Sequence, residues 1–239
     1  MAHLQGDSKA RYVAQMFARI SRRYDLLNTL MSVGLHHRWR RLTTRLATDG
    51  LAGTALDVAT GTGDFLFELI KRPGIDAAVG LDVVPEMLDL ARRKAQRRSM
   101  SHLLVLVQGD ALALPFQDNV FACVTTGFAM RNVADLPQAL AEMTRVIRPG
   151  GRVAILEIVP VESKGPLSRL MQLYFRWIVP ILGSIVAGDR EAYTYLPKSV
   201  EVFPTAGKLA GLMEQAGLES VNWRKAGMGS VAILVGQKP

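Results

Sequence analysis

Cysteine is nearly missing from this chain. Its one copy, Cys123, can form no internal disulfide and leaves too few thiols for a zinc site. It lies in the apolar run FACVTT, where a thiol is expected to pack as a core side chain rather than act as a nucleophile. Aromatic residues make up only 7% of the sequence, thin material for a base-stacking platform, and no RNA-binding motif stands beside the charge. Long apolar runs are missing as well. In LMQLYFRWIVPILGSIVAG (170–188) the longest charge-free piece, 177–188, is broken by Pro180 and falls short of the ~20 residues that span a bilayer. No basic, apolar leader opens the sequence, which leads to the expectation of a cytoplasmic protein.

What is present is enough for one folded domain. The 239 residues are 49% hydrophobic, ample for a buried core. Twenty-nine Lys+Arg against 21 Asp+Glu give a formal charge of +8, which favours nucleic acid, anionic lipid or a phosphate-bearing ligand as partner. Two clusters carry much of it, HHRWRRLTTR (36–45) and ARRKAQRR (91–98). The second is read as the solvated face and end of an amphipathic helix, where bases complement the helix dipole.

From residue 54 short apolar runs alternate with helical patterns. The runs are TALDVA (54–59), AAVGLDV (77–83), LLVLVQGD (103–110), FACVTTGF (121–128) and GRVAILEI (151–158). Between them DFLFELIK, PEMLDLARRKAQ and DLPQALAEMTRVI place apolar residues three or four apart. Continuous apolar strands separated by helices imply a parallel sheet covered on both faces. Asp135-Leu-Pro137 is expected to start a helix and RPGG (148–151) to stop it. The rhythm breaks after 158 and resumes with KLAGLMEQAG (208–217), then SVNWRKA and SVAILVG, joined at Gly227-Met-Gly229 as a hairpin. The expected fold is therefore α/β, a seven-stranded, mostly parallel sheet with a final antiparallel strand. A helical cap over 8–48, a core over 54–158, an apolar helical insertion over 159–205 and a closing helix and hairpin over 206–239 make up one domain.

The first strand runs into LDVATGTGDF. Asp57 ends the strand, Thr60, Gly61, Thr62 and Gly63 form the turn, and a helix begins near Asp64. Glycines let the backbone approach a ligand just before a helix N-terminus. No Lys or Arg lies in the turn, and Asp57 and Asp64 flank it, so it would repel a pyrophosphate and attract a sulfonium or amino group. The third glycine of the dinucleotide fingerprint is also missing. Asp82 ends the second strand 21 positions after Gly61, where a carboxylate accepts from ribose hydroxyls. Asp110, with Ala111 after it, ends the third, where an adenine amino group would find an acceptor. Each acid alone is equally well a helix cap; together with the turn they favour an adenosyl ligand.

LDVATGTGD, GLD (80–82), GDALALPF and RVIRPGG (145–151) resemble the class I S-adenosylmethionine-dependent methyltransferases, whose sheet is Rossmann-like. The opening of the chain narrows this. YDLLNTLMSVGLHHRW (24–39), GFAMRNV (127–133) and the Y-x-Y-L-P-x-S…FP pattern of 193–204 are similar to the ubiquinone/menaquinone biosynthesis C-methyltransferase family. The resemblance implies S-adenosyl-L-methionine as cofactor, with contacts at Thr62, Asp82, Asp110, Ala111 and Gly127. At Gly127 relatives commonly carry serine, so only backbone serves there. Ala129 replaces a glycine of the family signature and Val159 a serine.

The implied reaction is C-methylation of a prenylated quinol, demethylmenaquinol to menaquinol in the first instance, with a ubiquinone precursor or another small aromatic or lipid acceptor as alternatives. A hydroquinone becomes a carbon nucleophile when one hydroxyl loses its proton, and a phenol has a pKa of ~10. Arg131 is the candidate for favouring the phenolate, and Asn132 for orienting the other ring oxygen. Tyr24, Leu27, Met31 and Leu35 form a helical apolar stripe. Tyr24 and His36 are expected to border the quinol pocket, with Asn28 as a hydrogen-bond partner and Asp25 paired to a nearby Arg. His36 is either a proton acceptor or a structural helix-end histidine. Tyr193, Tyr195 and Ser199 are a further candidate wall, and the apolar 167–187 segment either receives an isoprenoid tail or seals the core. Transient membrane-surface contact and a homodimer are compatible with this reading. A basic nucleic-acid-binding protein is the competing class.

Overall fold

A computed structural model describes residues 6–162 and 190–239, apart from the side chains of residues 7 and 190–194. The 167–187 segment and the Tyr193 side chain thus lie outside the described residues. Helices α1 (Gly6–Ser32) and α2 (Leu35–Thr48) precede strand β1 (Gly53–Val58). Then follow α3 (Asp64–Leu69), β2 (Ile75–Asp82), α4 (Pro85–Arg97), β3 (Leu104–Gln108), β4 (Phe121–Gly127), α5 (Leu136–Val146) and β5 (Ile147–Ile158). After the undescribed stretch come α6 (Arg190–Glu201), α7 (Ala206–Gln215), β6 (Glu219–Ala226) and β7 (Val231–Gln237).

The seven strands form one sheet in the order β3-β2-β1-β4-β5-β7-β6. The first five are parallel, and β7 runs antiparallel to both β5 and β6, as the sequence leads one to expect. Side chains alternate between faces, as strand geometry demands. Along β1, Ala55 packs with Ala47, Leu66 and Cys123, whereas Leu56 and Val58 pack with Leu140, Met143 and Leu209 on the other face. Cys123 is fully buried, a core thiol. Asp135 caps α5, its Oδ1 accepting from the Gln138 amide at 3.0 Å, with Pro137 in the first turn. RPGG ends the helix but enters the start of β5 as an irregularity in its pairing with β4.

Chain order reverses between β1 and β4, and the glycine turn projects at that switch point, where open α/β sheets bind ligands. The N-terminal segment divides. Helix α1 crosses the ligand edge and packs against α4 and α6, but α2 lies on β4, β5 and β7 as part of a covering layer. Arg40, Thr43, Thr44 and Thr48 are accordingly buried, so part of HHRWRRLTTR is interior rather than cap surface.

Candidate active site

The glycine turn is held from below. Asp57 is buried, accepting from Thr60 Oγ1 at 2.6 Å and from Thr125 Oγ1 of β4 at 2.7 Å. Burial pushes its carboxyl up to about 7, against the pull of the two hydroxyls. Asp57, Thr60, Thr62 and Gly63 do not line the cleft above the turn; they set its shape. Gly61 (φ 55) and Gly63 (φ 85) take left-handed conformations, and a Cβ on Gly63 would press on Ala91 of α4 at 3.1 Å.

The cleft is walled by Gly61, Asp82, Asp110, Ala111 and Gly127, bringing together five of the residues expected to contact a cofactor. Asp82 is fixed by two backbone amides, Gly61 N–H at 2.7 Å and Val84 N–H at 2.9 Å, and burial raises its pKa against these donors. Asp110 is exposed and accepts from the Leu112 amide at 2.9 Å. Arg145, from RVIRPGG, holds the loop that carries it, donating to the Leu114 and Phe116 carbonyls at 3.0 and 2.8 Å while paired with Glu142. Val83, Met87 and Leu112 supply apolar walls that motif reading did not single out; their signal was position, next to the strand-end acids. At Gly127 a Cβ would clash with the edge of the Phe65 ring, so the phenyl group occupies the space a serine side chain would need.

An apolar cavity of about 220 Å³ adjoins the cleft. Tyr24, Asn28, His36, Arg131 and Tyr195 line it, among Met16, Ile20, Met31 and Trp39. Asn132 does not: it faces the cofactor cleft, on the other side of the wall from where a ring oxygen was expected. Ser199 is buried and donates to the Leu196 carbonyl at 2.8 Å, a helix-internal bond. Burial pushes the Tyr24 phenol up, against the pull of Asn28, Arg131 and Arg40. Among the described residues, Asn28 Nδ2, Arg131 Nε and Tyr195 Oη on this cavity, and Asn132 Oδ1 on the cleft, are buried without a hydrogen-bond partner. Such orphans are rare unless a ligand or water completes them.

Arg131 brings a partner the sequence reading missed. Glu157, fully buried on β5, accepts from Arg131 Nη1 at 2.7 Å, from the Arg131 amide at 3.3 Å and from the Ile158 amide at 2.8 Å. Arg131 Nη1 also donates to the Phe128 carbonyl at 2.5 Å. The signal was a lone acid inside the apolar run GRVAILEI, which a buried strand tolerates only with a partner. Arg131 is therefore a cation paired with a buried carboxylate, its Nε left without a partner among the described residues.

His36 is committed as well. Thr29 Oγ1 donates to the Asp25 carbonyl at 2.9 Å, so at 3.1 Å it accepts from His36 Nε2, and Nδ1 takes the Arg40 guanidinium. Burial, aided by Arg40, pushes His36 down to about 3. A neutral ring with both nitrogens engaged is a structural histidine, one of the two sequence alternatives. Among the described residues Asp25 pairs not with an arginine but with Lys94 at 2.6 Å, and it accepts from Thr62 Oγ1 at 2.6 Å. Lys94 reaches Asp64 at 3.0 Å and Arg40 reaches it at 3.2 Å. Burial works to raise Asp64, yet these two cations hold it below its ordinary value. Lys94, from the cluster read as solvated, thus ties α1 to the cofactor turn. At the other end of α1, Lys9 donates to the Val133 carbonyl at 2.7 Å.

Phe17, Tyr24 and Phe128 line both spaces and form the wall between them. Phe128 stands at the end of β4 with φ 59, an uncommon backbone for an aromatic residue, and so places its ring in that wall. Asp82 and Asp110 are the only charged residues lining the described cleft, which suits an adenosyl group bearing cationic sulfur and amine and repels phosphates. Sheet order, turn, strand-end acids and cation-free cleft define a class I S-adenosylmethionine-dependent methyltransferase. The chain belongs to the ubiE/COQ5 methyltransferase family, whose model it matches over residues 5–238. It is 45% identical to the demethylmenaquinone methyltransferase of Roseiflexus castenholzii, over 97% of this chain and 95% of that one. Identity is 38% to the ubiquinone/menaquinone biosynthesis C-methyltransferase UbiE of Dinoroseobacter shibae, over 97% and 92%. Among solved structures the [4+2]-cyclase SpnF has the same fold, with a TM-score of 0.71 and 19% identity over 96% and 97% of the two chains. None of the helices described is long and apolar enough to cross a membrane.

Proposed function

We propose that the protein methylates a ring carbon of a prenylated quinol, converting demethylmenaquinol to menaquinol. The observation that carries this is the apolar cavity set against the adenosyl cleft across one aromatic wall, with orphaned polar atoms on three of its lining residues, Asn28, Arg131 and Tyr195. The name borne by the 45%-identical relative favours the menaquinone branch, and the 38%-identical one keeps a ubiquinone precursor as second reading.

Gly61, Asp82, Asp110, Ala111 and Gly127 hold the cofactor, and Asn132 Oδ1 accepts from its amino end. Bound there, the sulfonium supplies an electrophilic methyl group to a carbon nucleophile. The protein's own residues prepare that nucleophile. Arg131 favours the ionised quinol oxygen, and burial between α1 and the sheet removes competing water. Tyr24 and Asn28 orient the ring, and Tyr195 meets its second oxygen. Tails of this kind reside in lipid, so the enzyme works as a peripheral protein at a membrane surface.

The test is incubation with methyl-labelled S-adenosylmethionine and either reduced demethylmenaquinone or a reduced ubiquinone precursor, followed by mass analysis of products. Label in menaquinol alone supports the reading. Label in the benzoquinol alone assigns the second branch, and label in neither ends both.

A further inference from the structure

Positive charge is unevenly placed. Residues 1–48 hold nine Lys+Arg and two acids, so nearly all of the chain's +8 sits on α1 and α2. Lys9 and Arg40 are spent internally, but Arg22, Arg23, Arg38 and Arg41 are exposed. On α1 the buried stripe is Val13, Met16, Ile20 and Leu27, and Arg22, Arg23, Leu26 and Leu30 stand exposed along its flank. Leu26 and Leu30 are exposed, and so are Val33 and Leu35 at the α1–α2 corner and Met228 of the β6–β7 turn. Val33 is 84% exposed and has φ 49, so a β-branched residue is held outward at a strained tip.

Val33, Leu35 and Met228 also line the apolar cavity and are its exposed members. The mouth of the cavity therefore opens through the apolar corner, between the two helices that carry the exposed arginines. A cavity of about 220 Å³ takes a ring head but not a run of several isoprene units, so among the described residues this mouth is the way out for a tail.

We propose that the α1–α2 corner is a lipid-docking surface. Leu26, Leu30, Val33, Leu35 and Met228 enter the acyl layer of an anionic bilayer, Arg22, Arg23, Arg38 and Arg41 meet its phosphates, and the cavity mouth opens directly into lipid. This rests on the quinol reading only for the use made of the mouth; the surface itself follows from charge and exposure.

Flotation of the full-length protein with phosphatidylcholine vesicles, with and without one-third phosphatidylglycerol, tests it. Binding to the anionic vesicles should exceed binding to neutral ones at least tenfold and fall with salt. Leu26→Glu with Leu30→Glu, both outside the cavity, should reduce that binding at least tenfold. The pair should leave turnover of a tail-less quinol unchanged and slow turnover of a long-tailed one presented in vesicles. Equal binding by wild type and double variant, or no binding to anionic vesicles, overturns the proposal. So does a dimer in sedimentation velocity that the double variant splits, or capture of an RNA oligonucleotide in preference to vesicles. Lost vesicle binding with no quinol turned over by either protein leaves the surface standing and removes the quinol reading.

Discussion

Replacing Glu157 by glutamine alters one atom in the buried charge pair behind the ring cavity. Glutamine keeps the shape and one acceptor oxygen, so it retains the bonds now made to Oε1 by Arg131 Nη1 and the Ile158 amide. Its amide nitrogen then faces the Arg131 N–H, donor against donor, where Oε2 accepted at 3.3 Å. The guanidinium, 8% exposed, loses its counter-charge. Breaking a buried pair from one side costs about 3–5 kcal/mol, a large part of the roughly 5–15 kcal/mol that holds a domain folded. Urea unfolding should therefore show Glu157→Gln about 3 kcal/mol less stable with an unchanged denaturant slope. Removing both charges, with Arg131→Met added, should restore much of this, giving a coupling of about 2 kcal/mol or more in the double-mutant cycle. In the single variant the uncompensated Arg131 favours the ionised form of the bound quinol, so the acid limb of the kcat profile should move to lower pH. A stability loss below about 1 kcal/mol, together with additive changes in the double variant, would refute the pairing and this account of Arg131.

Other residues give equally direct tests. Asp82→Ala should weaken S-adenosylmethionine binding by about 1.5–3 kcal/mol, roughly ten- to a hundredfold, in calorimetry; unchanged affinity removes Asp82 from the site. Folded His36 holds a proton only below about pH 3, whereas the unfolded chain takes one up near 6.5. Stability should thus fall as pH drops across that window, by at most about 1.4 kcal/mol per unit, and a His36→Gln variant with an undiminished slope contradicts the assignment. Asp57 has the opposite sign. Its folded pKa of about 7 lies above the ordinary 3.8, so its contribution is present below 3.8 and is lost as pH rises to 7, and Asp57→Asn should gain on wild type across that window. Gly127→Ser should cost about 1–3 kcal/mol by overpacking on Phe65, and Phe65→Leu should relieve it; a serine accepted without that relief shows the ring to be mobile.

The sheet was legible because continuous apolar runs and helical spacing leave few other arrangements. The strand-end acids were legible because their offsets from the turn are short and fixed by chain geometry. Asp57 shows the limit of that reasoning: its position at the strand end was clear, but only folding reveals that it points down to Thr125 and not up into the cleft. Asn132 and Arg131 are adjacent in sequence yet face different spaces, since the backbone turns sharply after Phe128. Glu157 and Lys94 escaped notice because each finds its partner across the fold, 26 residues away at Arg131 and more than twice as far at Asp25. A hydropathy pattern records which side chains are apolar, not which ion meets which.

Two of the three rings in the wall between the spaces, Phe17 and Tyr24, belong to one helix, α1, fastened by Lys9 at one end and Asp25 at the other. A single roof beam thus covers two rooms. Any displacement of α1 therefore reshapes both rooms at once, even though the ring chamber keeps its own mouth at the α1–α2 corner.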